Sequence, residues 1–474
     1  MTRRRLILIL ATTTALGALA FTAARARDVP RVATGFVADI LCSATFVSGL
    51  DPDRVFHETV DAMPGVNFIS WALHTDVDRS RRDVTVSLLG MGRSHSVYRD
   101  GYGCTLDHGT IASLAPPPDD KKPTPALLPE IAGPALVTPA TPALDAALDR
   151  AFFEPHAPTY RRTKAVVVVK DGHVIAERYA KGYGIDTQLL GFSVTKSVIS
   201  ALTGILVRQG KLHLDGPAPV AAWRDPNDPH HAITVDQLLR HTAGLAIGSS
   251  LQASLASVLE PVNQMKYGES DMAGFAETMP LATAPGSAWN YNDGNYVILS
   301  QIVREAVGGH ADDVMRFAGR ELFGPLGMHH VTLQFDASGN PEGSGSMLAT
   351  ARDWARFGML YLDDGVAGGK RILPEDWVKY SASPTPHSRV GYGAGFWTNQ
   401  GDSFGANYRV SHGWPRDAFM AKGTIGQYVI VIPSEHLVIV RLGISPNWPD
   451  VDGVSQLIRD VIAATSGAAK SASN

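Results

Sequence analysis

Apolar positions change their spacing several times along the chain, and each change marks an element. "KAVVVVKDGHVIAERYA" (164–180) carries two apolar runs either side of Asp171-Gly172, a turn pair suited to a β-hairpin. "GQYVIVIPSEHLVIVRLG" (426–443) reads as a second hairpin near the far end. "TPALDAALDRAFF" (141–153) has helical spacing, with Thr141 as cap and Pro142 at the first helical position. "GVSQLIRDVIAATSG" (453–467) follows the second hairpin and is also helical. Hairpins at both ends of one domain predict an antiparallel sheet whose first and last strands pair, with the flanking helices on one face. Between them, from about Gly191 to Gly365, the pattern is helical and loop-rich, so a helical lobe is inserted. The expected class is α+β, an antiparallel sheet flanked by helices over residues 145–468.

A different pattern precedes this domain. Residues 28–113 carry one predicted helix, Asp53 to Ala62, and several short strand-like runs. "DVTVSLLGMG" (83–92) and "SHSVYRDGYG" (94–103) read as a hairpin pair, so a small N-terminal α+β domain is expected. Residues 114–144 include "APPPDDKKPTPALLPEIAGPALVTPATPAL", whose prolines predict an extended linker. Residues 1–27 are set apart from the fold. Three arginines, an apolar run from Leu6 to Phe21 and Ala24-Arg25-Ala26 have the layout of an export signal, or of an inner-membrane anchor if uncleaved. Thr2-Arg3-Arg4-Arg5-Leu6 also loosely resembles a twin-arginine signal. The expected location is periplasmic or extracellular, free or held at the inner membrane.

Composition narrows the partners. The 474 residues are 45% hydrophobic and 19% charged, with a net charge of -4. No basic block follows the first few residues, which argues against nucleic acid. Cys42 and Cys104 are the only cysteines, and an oxidising compartment predicts a disulfide between them. Two cysteines cannot build a thiolate zinc site, and the His230-His231 and His329-His330 pairs point apart. No metal and no cofactor is expected.

"GFSVTKSVISALTGILV" (191–207) predicts an apolar helix with Ser193 at its start and Lys196 one turn on, both on one face. Helix N–H groups stabilise negative charge beside Ser193. Lys196 can accept the serine proton only as a neutral amine, which gives a serine nucleophile with a lysine base. Tyr291 precedes a predicted helix from about Tyr296 and can serve as a second proton relay. "FMAKGTIGQYVIVI" (419–432) offers a strand edge whose N–H groups could complete an oxyanion hole.

Taken together, these pieces resemble the serine β-lactamase-like superfamily of class C β-lactamases, DD-peptidases, esterases and 6-aminohexanoate-dimer hydrolases. Five stretches carry the resemblance in the family's order: "FSVTKSVISALTGILVRQGKLHLDGP", "ITVDQLLRHTAGL", "PGSAWNYNDGNYVILSQIV", "ATARDWARFGMLYLDDGVAGGKRILPEDWV" and "AFMAKGTIGQYVIVIPSEHLVIVRLG". The resemblance implies a β-lactamase/transpeptidase-like fold, with Ser193 acylated, Lys196 as base and Tyr291 as proton carrier. It implies an oxyanion hole from the Ser193 and Thr424 N–H groups, and substrate contacts from Asn292, Asp293 and Gly423.

Two positions depart from the pattern. The family's Tyr-x-Asn reads Tyr291-Asn292-Asp293, and its Lys-Thr-Gly reads Ala421-Lys422-Gly423. An ionised Asp293 cannot donate to a substrate carbonyl, although it could attract an amine or cap the following helix. Lys422, one place along a strand, points to the opposite face. The expectation is a secreted serine hydrolase acting through an acyl-enzyme on a small linear amide, ester or peptide. A β-lactamase, a D-Ala-D-Ala carboxypeptidase and a non-catalytic penicillin-binding-type sensor are the alternatives. An α/β-hydrolase site is disfavoured because Thr195 breaks G-x-S-x-G and no βαβ series surrounds it.

Overall fold

The computed structural model describes residues 30–114, 124–157, 159–251, 260–445 and 451–472. The signal-like residues 1–27 lie outside these ranges, as do 115–123 of the proline-rich stretch.

The N-terminal unit opens with α1 (Pro30–Val47), followed by α2 (Pro52–Val55), which runs into the turn Phe56–Val60. An antiparallel meander follows: β1 (Leu73–Asp78), β2 (Asp83–Leu88), β3 (Met91–Arg99) and β4 (Gly103–Leu106). Sequence reading did not anticipate α1. Its buried stripe of Val37, Ile40, Leu41 and Ala44 has helical spacing and packs against Val84 and Val86 of β2. The segment is long and apolar enough to cross a membrane, yet 61% of it is buried within the fold. Cys42 on α1 is bonded to Cys104 on β4, with Cα atoms 6.1 Å apart.

The second unit is built on a sheet buried on both faces. α3 (Pro142–Phe152) starts at Thr141, whose hydroxyl accepts from the Leu144 N–H. Then come β5 (Thr163–Lys170), β6 (His173–Tyr179), the short β7 (Leu189–Leu190) and α4 (Val194–Arg208). The inserted lobe includes α5 (Val235–Leu239), α6 (Pro261–Gly268), α7 (Met272–Glu277), α8 (Gly294–Val307) and α9 (Ala311–Ala318). β8 (Val331–Leu333) and β9 (Met347–Ala349) join β7 in a small sheet, and β10 (Val366–Ala367) pairs with β11 (Lys370–Arg371). β12 (Trp397–Thr398), β13 (Phe419–Gly423), β14 (Gln427–Ile432) and β15 (Leu437–Gly443) complete the main sheet, ordered β12-β13-β14-β15-β5-β6.

As expected, the first and last hairpins meet, β5 pairing antiparallel with β15 through Val167↔Val440. Val167, Val169, Val438 and Val440 face the helix Ala351–Leu362 and share one core with α4 and α8. Val166, Val168, Ile430 and Ile439 face α3 and the helix Val451–Ala472. The unbroken valine run of β5 is therefore the signature of a strand with no wet face.

Residues 124–141 are extended but not free of the fold. Leu128 and Ile131 are buried in the main core, the Val174 N–H donates to the Ile131 carbonyl, and Arg352 donates to the Gly133 carbonyl. The N-terminal unit is fastened as well: Lys164 pairs with Glu58 at 2.6 Å, and Gln334 donates to the Ser43 hydroxyl at 2.8 Å.

Candidate active site

Ser193 is the cap residue of α4, and Phe192 before it sits at φ +47°, in the left-handed region. That conformation is costly for a bulky residue and persists only where the surroundings fix it. The fixing contact is close by. A Cβ on Gly423 would lie 2.1 Å from the Gly191 carbonyl oxygen, so only glycine lets the end of β13 approach the Ser193 turn this closely. Thr424, the next residue, accordingly lines the same cleft as Ser193. Among the described residues, neither the Ser193 nor the Thr424 N–H donates to a backbone carbonyl. Gly423 thus acts through packing.

Lys196 Nζ lies 3.0 Å from Ser193 Oγ, 2.6 Å from Asp293 Oδ1 and 2.6 Å from the Ser344 carbonyl oxygen. The carboxylate and the carbonyl can only accept, so they fix two of the N–H bonds. The third position faces Ser193 Oγ. It holds an N–H in the ammonium and a lone pair in the amine, and the second state is the one able to take the serine proton. The Tyr291 ring centroid is 5.0 Å from Lys196 Nζ, and its phenol hydrogen-bonds with Ser193 and Lys196. Burial pushes this phenol above its ordinary value, while the Lys196 charge and those hydrogen bonds pull it back. His241, on the "RHTAGL" turn, packs its ring 4.4 Å from that of Tyr291. Burial, then the Lys196 charge, push His241 well below the ordinary histidine value, so it serves as a neutral wall for the tyrosine.

Asp293 corrects the sequence reading. It precedes α8, which begins at Gly294, but its side chain caps nothing. The cap is Asn292, whose Oδ1 accepts from the Asn295 N–H while its amide donates to the Asn290 carbonyl. Asn292 is therefore spent on the backbone and does not line the cleft. Asp293 is held between Lys196 at 2.6 Å and Lys266 of α6 at 3.3 Å. Burial opposes its ionisation, but the two ammonium groups outweigh this and hold the carboxyl well below the ordinary range. A carboxylate so paired has no charge to spare for a substrate amine. Lys266 was not singled out in the sequence, because nothing local to α6 marks it. It also reaches Glu342 at 3.5 Å, and these two carboxylates hold its ammonium well above the ordinary lysine value despite burial.

Lys422 points away, as its strand position predicts. Its Nζ lies 4.6 Å from the Trp397 ring, beneath the opposite sheet face, while Ala421 faces the α4 side. Burial, then Arg409, push Lys422 down to about 7.

The Beta-lactamase family model matches residues 148–463. The chain belongs to the Beta-lactamase family. A 6-aminohexanoate-dimer hydrolase of Paenarthrobacter ureafaciens is 24% identical over 302 residues, 61% of this chain and 74% of the relative. A penicillin-binding protein homolog from Caulobacter crescentus has a similar structure (TM-score 0.54, 20% identity, 71% of this chain and 100% of that one). So does EstCE1, described as a hydrolase with promiscuous acyltransferase activity (TM-score 0.52, 16% identity, 68% and 97%).

In this Beta-lactamase family member a solvent-open cleft lies above Ser193. Ser193, Ser249, Ser250, Asn263, Lys266, Asp293 and Thr424 form its polar side. The other side comes from α1 and the loop after Val60, outside the family match. α1 also brings Asp39 near Lys266 and Glu342. Burial, then Glu342, push the Asp39 carboxyl up to about 7 against the pull of Lys266.

Proposed function

We propose that the protein is an exported serine hydrolase that cleaves small linear amides or esters through an acyl-enzyme. The observation that carries this reading is the Lys196 side chain, whose Nζ is held by two obligate acceptors so that its remaining position meets Ser193 Oγ at 3.0 Å.

Acylation starts from the state in which Lys196 has given one proton to solvent; the free amine then takes the Ser193 proton as Oγ bonds to the substrate carbonyl carbon. The carbonyl oxygen becomes an oxyanion facing the Ser193 N–H at the start of α4 and the Thr424 N–H just after β13. As the intermediate collapses, the bond to the leaving alcohol or amine breaks. Tyr291 delivers a proton to that leaving group and is reprotonated from Lys196. Water then attacks the acyl carbon, gives its proton to the same pair, and Ser193 leaves with its own proton restored.

The direction in which the β13 lysine points favours a linear substrate. A β-lactam carboxylate wants a cation on β13, where Ala421 stands and Lys422 faces away. The named activity of the Paenarthrobacter relative, on an amide-linked dimer, is consistent with this preference. Export is supported by the Cys42–Cys104 disulfide.

The test is kcat/KM for nitrocefin, a p-nitrophenyl ester and a linear 6-aminohexanoate dimer, each run beside Ser193→Ala. Ser193-dependent turnover of a linear substrate, with the uncharged ester ahead of the zwitterionic dimer and poor nitrocefin turnover, is expected. Nitrocefin hydrolysis above roughly 10⁴ M⁻¹s⁻¹ with inert linear substrates would reverse the assignment.

A further inference from the structure

The wall opposite Ser193 is unlike the rest of the cleft. Val32, Ala33, Phe36, Met63, Val66 and Ile69 line it, and none carries a charge. All six lie before residue 148, where the family match begins, so this wall is an addition to the shared fold. It is also fixed in place. The Cys42–Cys104 bond ties α1 to β4, the Phe36 ring meets the Tyr267 ring edge-on at 5.6 Å, and Glu58 is paired with Lys164. A rigid apolar surface gains affinity by burying apolar substrate without paying to order itself.

The polar side is just as selective. Its two charged side chains, Asp293 and Lys266, are already partnered with each other at 3.3 Å. A substrate carboxylate or ammonium would enter against a satisfied pair, in a cleft whose far side, among the described residues, offers no counter-charge.

We propose that the N-terminal unit is the acyl-binding wall of the Ser193 cleft and selects an uncharged ester or amide with an apolar acyl chain. The inference rests on Ser193 being the nucleophile. The acyl carbon sits at Ser193, and the chain beyond it runs along Phe36, Met63 and Val66. Each buried methylene then adds about fourfold in kcat/KM.

The experiment uses the full chain and a p-nitrophenyl ester series from acetate through butyrate to hexanoate, with the hemisuccinate as a charged counterpart of butyrate. A steady rise to hexanoate is expected, with hemisuccinate about tenfold or more below butyrate. Val66→Asn and Met63→Ser are each expected to lower the hexanoate-to-acetate ratio about fivefold. This ratio is independent of the fraction of enzyme that folds, so a destabilised variant still reports. A flat series, a hemisuccinate as good as butyrate, or an unchanged ratio in both variants would overturn the proposal while leaving Ser193-dependent acetate hydrolysis intact. Absence of any Ser193-dependent ester hydrolysis would instead overturn the nucleophile assignment, and this inference with it.

Discussion

Replacing Asp293 by asparagine removes one oxygen-borne charge from between two ammonium groups, and the structure sets the size of the effect. Lys196 loses an ionic partner at 2.6 Å and Lys266 one at 3.3 Å. Breaking a buried pair from one side costs about 3–5 kcal/mol. The asparagine oxygen can still accept one hydrogen bond from Lys196, which returns about 1 kcal/mol. Lys266 keeps Glu342 at 3.5 Å. A net loss of about 2–4 kcal/mol follows, or several degrees in Tm for a domain of this size. The pH dependence has a definite sign. Asp293 is held below its ordinary value, so its contribution is complete above that value and is lost only as the solution becomes strongly acidic. The deficit of Asp293→Asn, measured by calorimetry, should therefore be the same at pH 6 and pH 8. A double-mutant cycle with Lys266→Met should show a coupling of about 0.5–3 kcal/mol. A variant that melts with the parent protein, or a cycle with no coupling, would refute the bridging role given to Asp293.

Three further outcomes are expected. Lys196→Arg should lose acylation rate as fully as Lys196→Ala, since a guanidinium cannot give up its proton, and Tyr291→Phe should cost about 10²–10⁴-fold in single-turnover kinetics. Cys42 and Cys104 are 62 residues apart, so Cys42→Ser should destabilise the N-terminal unit by about 4 kcal/mol, read by hydrogen exchange on β1–β4. The raised Asp39 carboxyl favours folding while protonated, and this advantage is lost as pH rises through about 7; Asp39→Asn should therefore raise Tm more at pH 8 than at pH 5.

How much of this was readable in advance follows from the range over which each feature acts. Ser193 and Lys196 share one helical turn, so their juxtaposition is a matter of spacing. The β5–β15 pairing was legible from two apolar hairpins, because strands without a wet face must find each other in the core. Asp293 was misjudged because its partners lie 97 and 27 positions away in sequence, on α4 and α6, and local rules see only a cap before a helix. The cap passed to Asn292, an equally good local choice. α1 was missed because its valine, threonine and phenylalanine residues favour a strand, against the helix preference of its alanines; burial of the Val37–Leu41–Ala44 stripe decided it. The apolar wall of the cleft was out of reach because it exists only once the N-terminal unit is docked on the second.

The account's central claim is that Ser193 is the acylated nucleophile, and covalent labelling tests it most directly. Treatment of the full chain with a fluorophosphonate, followed by intact-mass analysis and peptide mapping, should give one adduct, on Ser193, with parallel loss of esterase activity. Lys196→Met should label far more slowly, because the serine proton would then have no acceptor 3.0 Å away. An adduct on any other serine, or full activity in Ser193→Ala, would contradict the account.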